Sequence, residues 1–371
     1  MGGVRVLTIN AGSSSLKLRV IGLDDAVVAT TDLPHRARGS VDGEISRFLA
    51  NVSPFDAVGH RVVHGGHDFQ APLVLDDDVE DALAALAELA PLHNPPAIEA
   101  VQVLRRLRPE LPQVACFDTA FHAGLPAEAA TYALPGEWNA RWGLRRFGFH
   151  GLSHAYASGR AAVLVGRPPG ELRLVTAHLG SGASLAAVAG GRSVDTTMGF
   201  TPLEGLVMAT RAGDVDPGLL LWLLRRGGLS AAEIEEALES GSGLLGLSGV
   251  SGDLRLVVAA ADAGDTRAGL AYAVYLHRLR AGVAAMTAAM DGADGVVFTG
   301  GAGENSSRLR ADACRGLSFL GLAIDDDLNE AGSGDRLVSP AGASTAVVVV
   351  AAREDLEIAR QVRQVLGQGT Q

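Results

Sequence analysis

One hairpin pattern occurs twice in this chain, and the repeat restricts its fold more than any other feature. Residues 4–9 form an apolar run, residues 10–15 (NAGSSS) carry turn chemistry, and residues 16–22 return. The same order recurs at 172–177, 178–183 (HLGSGA) and 184–189. Arg5, Thr8, Gly12, Ser13 and Gly22 match Arg173, Thr176, Gly180, Ser181 and Gly190 at a constant offset of 168 residues. Two copies of one unit are the expected arrangement, each presenting a hairpin tip whose backbone N–H groups can hold an anion. A length of 371 residues, too great for one ordinary core, agrees with two domains. Helical patterns fill the intervals, so the class is α/β. Apolar spacing of three and four marks 78–89. Asn94-Pro95-Pro96 starts a helix over 97–107, and Asp216-Pro217 starts one over 218–226 that Gly227 closes. Ser230 and Glu233 form a capping box, 266–290 is one long helix, and 353–366 is a terminal amphipathic helix.

Composition narrows the function. A formal charge of −11 argues against a nucleic-acid partner. Two cysteines, Cys116 and Cys314, give neither a disulfide framework nor a metal cluster and suit a reducing cytoplasm. No charged n-region precedes an apolar stretch at the N-terminus, so no signal peptide is expected. Apolar runs such as 219–224 and 346–352 are too short to span a membrane.

The basic residues point to phosphate. Lys17 is the only lysine, and it stands at the exit of the first tip; the other 30 of 31 basic residues are arginine. Neither G-x-x-x-x-G-K-[ST] nor G-x-G-x-x-G occurs, which disfavours a P-loop NTPase and a Rossmann dehydrogenase. A third glycine-rich stretch, TGGAGEN at 299–305, follows an apolar strand at 295–298. Glycines there let a base or phosphate approach the backbone.

Eight further segments occur in order: GHRVVHGG (59–66), PLHNPP (91–96), FDTAFH (117–122), RRFGFHGLSH (145–154), DTTMGFTPLEGL (195–206), TRAGDVDPG (210–218), GVSGDLR (249–255) and FTGGAGENS (298–306). Together with the opening loop they closely resemble the acetate kinase (acetokinase) family, from residue 4 to about residue 359. That family belongs to the superfamily of actin, sugar kinases and heat-shock chaperones. The resemblance implies two duplicated actin-like (ribonuclease H-like) α/β domains with an active-site cleft between them. The first would be 1–125 plus 356–371, and the second 126–355, with hinges near 122–130 and near Glu354. It also implies a cytoplasmic homodimer and direct in-line transfer of a phosphoryl group from ATP to acetate.

Site residues are carried over from matching motifs. Arg61 and Arg211 resemble the family's two active-site arginines, which suits a reaction that brings two anions together. His150 resembles its histidine donor to the phosphoryl oxygens. Asp118 and Glu354 resemble its acidic residues around Mg²⁺ (Mn²⁺ as a substitute), with Asn10 beside them. Asn10, Ser13, Ser15 and Lys17 would line the first phosphate loop; His178, Gly180, Ser181 and Gly182 would line the second. Asp253, Leu254, Arg255, Gly300, Gly301, Ala302, Gly303 and Asn305 would lie on the adenosine side of ATP or ADP. Val63, Leu92, Phe149 and Pro202 would form the recess for the acetate methyl group, beside Arg61. Such a recess rejects one extra methylene by only about 1–3 kcal/mol, so propionate or butyrate is the alternative acceptor.

The chain departs from the family in two places. Ser181 stands where asparagine is usual, and Arg353 precedes Glu354 near the C-terminus. Two other readings are weaker. His60, His64 and His67 are flanked by Gly59, Gly65 and Gly66, not set on a helix as zinc ligands would be. A non-enzymatic actin-like ATP switch would need no pair of arginines at an acceptor recess.

Overall fold

The computed structural model describes residues 3–11, 15–34, 41–86 and 94–368. The chain divides into two compact units: Met1–Ala123 with Phe149–Tyr156 and Arg353–Gln371, and Gly124–Gly148 with Ala157–Ala352. Phe149–Tyr156 therefore groups with the first unit, whereas the sequence boundaries assigned it to the second. Long-range backbone bonds explain the difference. His122 Nε2 donates to the Phe149 carbonyl at 3.0 Å, and the Gly151 amide donates to the Asp118 carbonyl at 3.0 Å. No shift in composition marks such bonds.

In the first unit, β1 (Val6–Ala11), β2 (Ser15–Ile21) and β3 (Val27–Pro34) form an antiparallel meander. β4 (Ala57–Val62) runs parallel to β1, β5 (Leu73–Val74) is an antiparallel edge, and β6 (Gln113–Phe117) runs parallel to β4. The sheet order is β3-β2-β1-β4-β6-β5. Alternation along β1 decides what covers each face. Leu7 and Ile9 pack with Ile45, Ala100 and Leu104 from helices Val41–Leu49 and Asn94–Leu107. Val6 packs on the opposite face with Ile358 and Val362 of the helix Glu354–Gln368.

The second unit repeats this plan. β7 (Arg173–Leu179), β8 (Ala183–Ala189) and β9 (Arg192–Thr196) are the meander; β10 (Gly295–Thr299) and β12 (Ala346–Val349) are parallel; β11 (Arg336–Leu337) is the antiparallel edge. Its order, β9-β8-β7-β10-β12-β11, matches the first sheet strand for strand. Thr8 Oγ1 donates across the hairpin to the Arg19 carbonyl at 3.3 Å, and Thr176 Oγ1 to the Ala186 carbonyl at 3.4 Å. The match has one slip. Ala11 pairs with Leu16, but Leu179 pairs with Ala183, so the second tip is one residue shorter. The 168-residue offset therefore fails by one on the return strand, and Gly22 and Gly190 are not equivalent.

The long helix Thr266–Ala288 packs on β7 and β8; Asp265 caps it by accepting from the Arg267 and Ala268 amides. Ser230 and Glu233 form the expected capping box. The helix after Asp216 ends differently from the expectation. Pro217–Trp222 continues into a wider π turn, Leu223–Gly227, and Gly228 takes the left-handed conformation at φ 71°. No helix among the described residues is long and apolar enough to cross a membrane.

Two buried histidines set an acid limit on the first unit. His60 donates from Nε2 to Gln113 Oε1 at 2.7 Å, and burial lowers its pKa to about 4; burial lowers that of His122 to about 4 as well. Below about pH 6.5 the unfolded chain binds protons that these rings refuse. Unfolding free energy is therefore expected to fall as pH drops from 6.5 toward 4, by up to about 1.4 kcal/mol per unit for each histidine. Urea titrations across this range check it, and a His60→Gln variant should show a shallower slope. An unchanged slope would remove His60 from the acid response.

Candidate active site

Three parallel strands bring the first group of site residues together. Asn10 lies opposite Arg61 in the β1–β4 register, Arg61 lies opposite Cys116 in β4–β6, and Asp118 follows β6 directly. Arg61 Nε donates to both oxygens of Asp118 at 3.1 Å, Nη2 donates to Oδ2 at 2.5 Å, and Nη1 donates to Asn10 Oδ1 at 2.9 Å. The Asp118 side chain is 1% exposed and that of Arg61 13%. Burial works against the Arg61 charge, but Asp118 and then Glu354 more than offset it, so its pKa is raised and the cation is permanent. Glu354 stands in the first turn of its helix, where a negative charge is favoured.

The neighbouring loop is held by an interaction the sequence did not reveal. Asn94, read only as a helix start, accepts from the His64 amide at 3.2 Å and donates to the His64 carbonyl at 3.1 Å. It thereby fixes the turn that follows Val63. The His64 ring meets Phe149 edge-on at 5.3 Å, and Val63 and Phe149 are both buried. His150, next in sequence, has φ 56°, a left-handed conformation seldom adopted outside glycine. Lys17 is exposed and lies opposite Asn10 across β1–β2. Asp32 across β2–β3 is held below its ordinary pKa mainly by the Arg19 hydrogen bond, with a smaller contribution from Lys17. Ser13 and Leu92 lie outside the described residues, and Ser15 is described only as backbone of β2.

In the second unit the equivalent hairpin borders a cavity of about 830 Å³. Gly180, Ser181, Asp253, Leu254, Arg255, Gly301, Ala302 and Asn305 line it, so most of the residues expected on the nucleotide side do share one space. Its size is that of a cofactor site. The tip is closed by the Gly180 amide donating to the Gly182 carbonyl at 3.0 Å, and His178 lies opposite Thr299 at the paired ends of β7 and β10. Gly300 opens the short helix Gly300–Asn305 at φ 77°, and a Cβ there would lie 3.0 Å from the Leu179 backbone. Asp253 caps the helix Leu254–Asp262 through the Arg255 amide and also holds the exposed Arg255 guanidinium at 2.6 Å.

Arg310 was not foreseen. It is 1% exposed and donates to the Gly303 and Glu304 carbonyls at 2.8 Å and to Asn329 Oδ1 at 2.7 Å, anchoring the short helix from behind Gly303. The legible signal was an arginine on the apolar face of Ser307–Arg315, beside Leu309, Ala313 and Cys314.

Arg211 also belongs to the second unit. Its Nη1 donates to the Pro202 carbonyl at 3.0 Å, so these two expected residues meet. Its Nε lies 3.3 Å from Glu239, and Nη2 has no hydrogen bond among the described residues. Burial lowers its pKa and Glu239 opposes the shift.

The described residues contain no group of three or more His, Cys, Asp or Glu able to cage a metal. Glu354 and Asn10 offer oxygen donors, the kind taken by a hard cation that keeps most of its waters. Of the two carboxylates near Arg61, Asp118 is occupied by the guanidinium, whereas Glu354 makes no ion pair or hydrogen bond among the described residues.

The Acetokinase family model matches residues 44–360. An acetate kinase of Streptomyces coelicolor is 45% identical over 97% of this chain and 97% of its own. Among solved structures, the Porphyromonas gingivalis acetate kinase superimposes with a TM-score of 0.90 at 36% identity, covering 98% of this chain and all of that one. A propionate kinase from Francisella tularensis gives 0.88 at 34% identity, covering 96% of this chain and 98% of that one. Likeness of this extent, in sequence and in backbone alike, has one meaning: the chain belongs to the acetokinase family.

Proposed function

We propose that the protein is an acetate kinase, which transfers the γ-phosphoryl group of ATP reversibly to acetate, giving acetyl phosphate and ADP. The observation that carries the reading furthest is the half-buried Arg61 guanidinium, fixed by Asp118 and Asn10 at the ends of parallel strands. An oxygen of the acetate carboxylate attacks the γ-phosphorus while the bond to the β-phosphate oxygen breaks. The acceptor is already ionised at neutral pH, so no side chain has to remove a proton. The protein's work is to place cations against charge spread over the transferred group.

On this reading Arg61 and Arg211 neutralise the acceptor carboxylate and the equatorial oxygens, and His150 donates to them. Ribose and base occupy the 830 Å³ cavity of the second unit. Mg²⁺, when bound, would neutralise charge on the ATP phosphates; Asn10 and Glu354 would hold it, with Asp118 among the acidic residues around it. A Glu354→Gln variant is accordingly expected to need at least about ten-fold more Mg²⁺ for half-maximal rate, read from magnesium titrations at saturating ATP. An unchanged requirement would separate Glu354 from the metal.

Dependence on ATP and the two buried free cysteines agree with a cytoplasmic enzyme. Leu219, Leu221, Trp222 and Leu224 are exposed apolar side chains on one helical stretch, which supports a homodimer through the second unit, and light scattering would test it. Hydroxamate trapping tests the activity. Acyl hydroxamate should form only with ATP and acid together, and hydrolysis of ATP without acetate should stay negligible; the opposite result favours an ATP-driven switch. The likeness to a propionate kinase motivates the second reading, and the ranking of kcat/KM for acetate, propionate and butyrate decides it.

A further inference from the structure

Behind the loop that carries Pro202, three side chains of the second unit close into a network. Tyr132 Oη donates to Glu204 Oε2 at 2.6 Å, and Arg146 Nη2 donates to Glu204 Oε1 at 2.6 Å. Both oxygens of one carboxylate are thereby engaged. The Arg146 guanidinium also lies 5.6 Å from the centre of the Tyr132 ring. Burial first, and then Glu204, raise the Tyr132 pKa, so its hydroxyl stays a donor.

The network grips the main chain on both sides of Gly199. The Phe200 amide donates to Tyr132 Oη at 2.8 Å, and Arg146 Nη1 donates to the Thr197 carbonyl at 3.1 Å. The Gly199 carbonyl accepts from the Phe147 and Gly148 amides at 3.0 and 3.3 Å. A Cβ at Gly199 would overlap both the Glu204 carboxylate and the Tyr132 hydroxyl, so the backbone lies flush against them. Three residues further on, the Pro202 carbonyl accepts from Arg211 Nη1 at 3.0 Å.

We propose that Tyr132, Arg146 and Glu204 are positioning residues: by fixing the backbone from Thr197 to Pro202 they set the Pro202 carbonyl, and through it the direction of the Arg211 guanidinium. This rests on reading Arg211 as a cation that acts on the reacting groups. A misplacement of about 1 Å at such a cation can lower the rate by about a hundred-fold, so a remote hydroxyl has leverage.

A double-mutant cycle tests it on the full-length enzyme. Tyr132→Phe keeps the ring and removes only the hydroxyl. It is expected to lower kcat about ten-fold with the KM for ATP changed less than about two-fold. In an Arg211→Ala background the same change should lower kcat less than about two-fold, because the group it acts through is gone. Glu204→Gln, which keeps the shape and loses the charge, should repeat the pattern, with thermal melts confirming the fold of each variant. Equal losses in both backgrounds would overturn the proposal, since a merely structural role persists without Arg211. So would wild-type kcat in both single variants. Wild-type turnover of Arg211→Ala itself would instead defeat the catalytic reading of Arg211, and is distinguishable because it needs no partner variant.

Discussion

Arg61→Ala is expected to lower kcat by about three orders of magnitude and to destabilise the first unit as well. The catalytic loss follows from removing a preorganised donor to developing charge; one such donor is worth about 10²–10³ in rate, and Arg61 presents a full cation. The stability loss has a different origin. Asp118 is 1% exposed and takes three hydrogen bonds from Arg61. Removing the guanidinium leaves a buried carboxylate unpaired, which typically costs about 3–5 kcal/mol. The two effects can be separated. Arg61→Ala combined with Asp118→Asn should recover much of the stability in urea titrations and none of the turnover. Near-normal kcat in Arg61→Ala would take this residue out of the reaction. Recovery of turnover in the double variant would mean that Arg61 serves only to neutralise Asp118.

The second large effect is expected at Gly300→Val. A β-branched residue at φ 77° is strained by about 1–3 kcal/mol, and its Cβ would lie 3.0 Å from the Leu179 backbone, which cannot rotate away. The end of β7 and the start of Gly300–Asn305 must then separate, and Gly180 and Gly301, which follow them directly, line the cavity of about 830 Å³. The KM for ATP should rise at least about ten-fold while that for acetate changes little. Gly301→Ala is the contrasting case: it lines the same cavity, but a Cβ there meets nothing within 4 Å. Loss of ATP affinity in that variant would report crowding of the ligand alone. If Gly300→Val binds ATP normally, the close approach of these two segments does not matter to the nucleotide.

Lys17 has two roles open to it on the residues alone. Its isolation among arginines marked the first tip, and the β1–β2 register does set it opposite Asn10. Its exposure and its effect on Asp32 are also what a solvated strand lysine would show. Residue type and spacing identify a candidate; they do not say which way an exposed side chain points. The 168-residue repeat shows the same limit. It was legible because alternating apolar residues and glycine-serine tips recur, yet the one-residue slip on the return strand comes from hairpin pairing, which spacing alone does not encode.

The class, the duplication and the helix starts at Asp216 and Ser230 were legible in the sequence, because each depends on local chemistry: periodicity, caps and turn residues. Packing of the folded chain settled the rest: Asp118 neutralises Arg61, Asn94 fixes the turn after Val63, Arg310 holds the Gly300 helix, and Phe149–Tyr156 groups with the first unit. Most of those contacts join residues distant in the chain, through hydrogen bonds wholly or partly buried. Partner choice there is set by which groups the packed sheets and helices leave unsatisfied, and that is a property of the assembled fold.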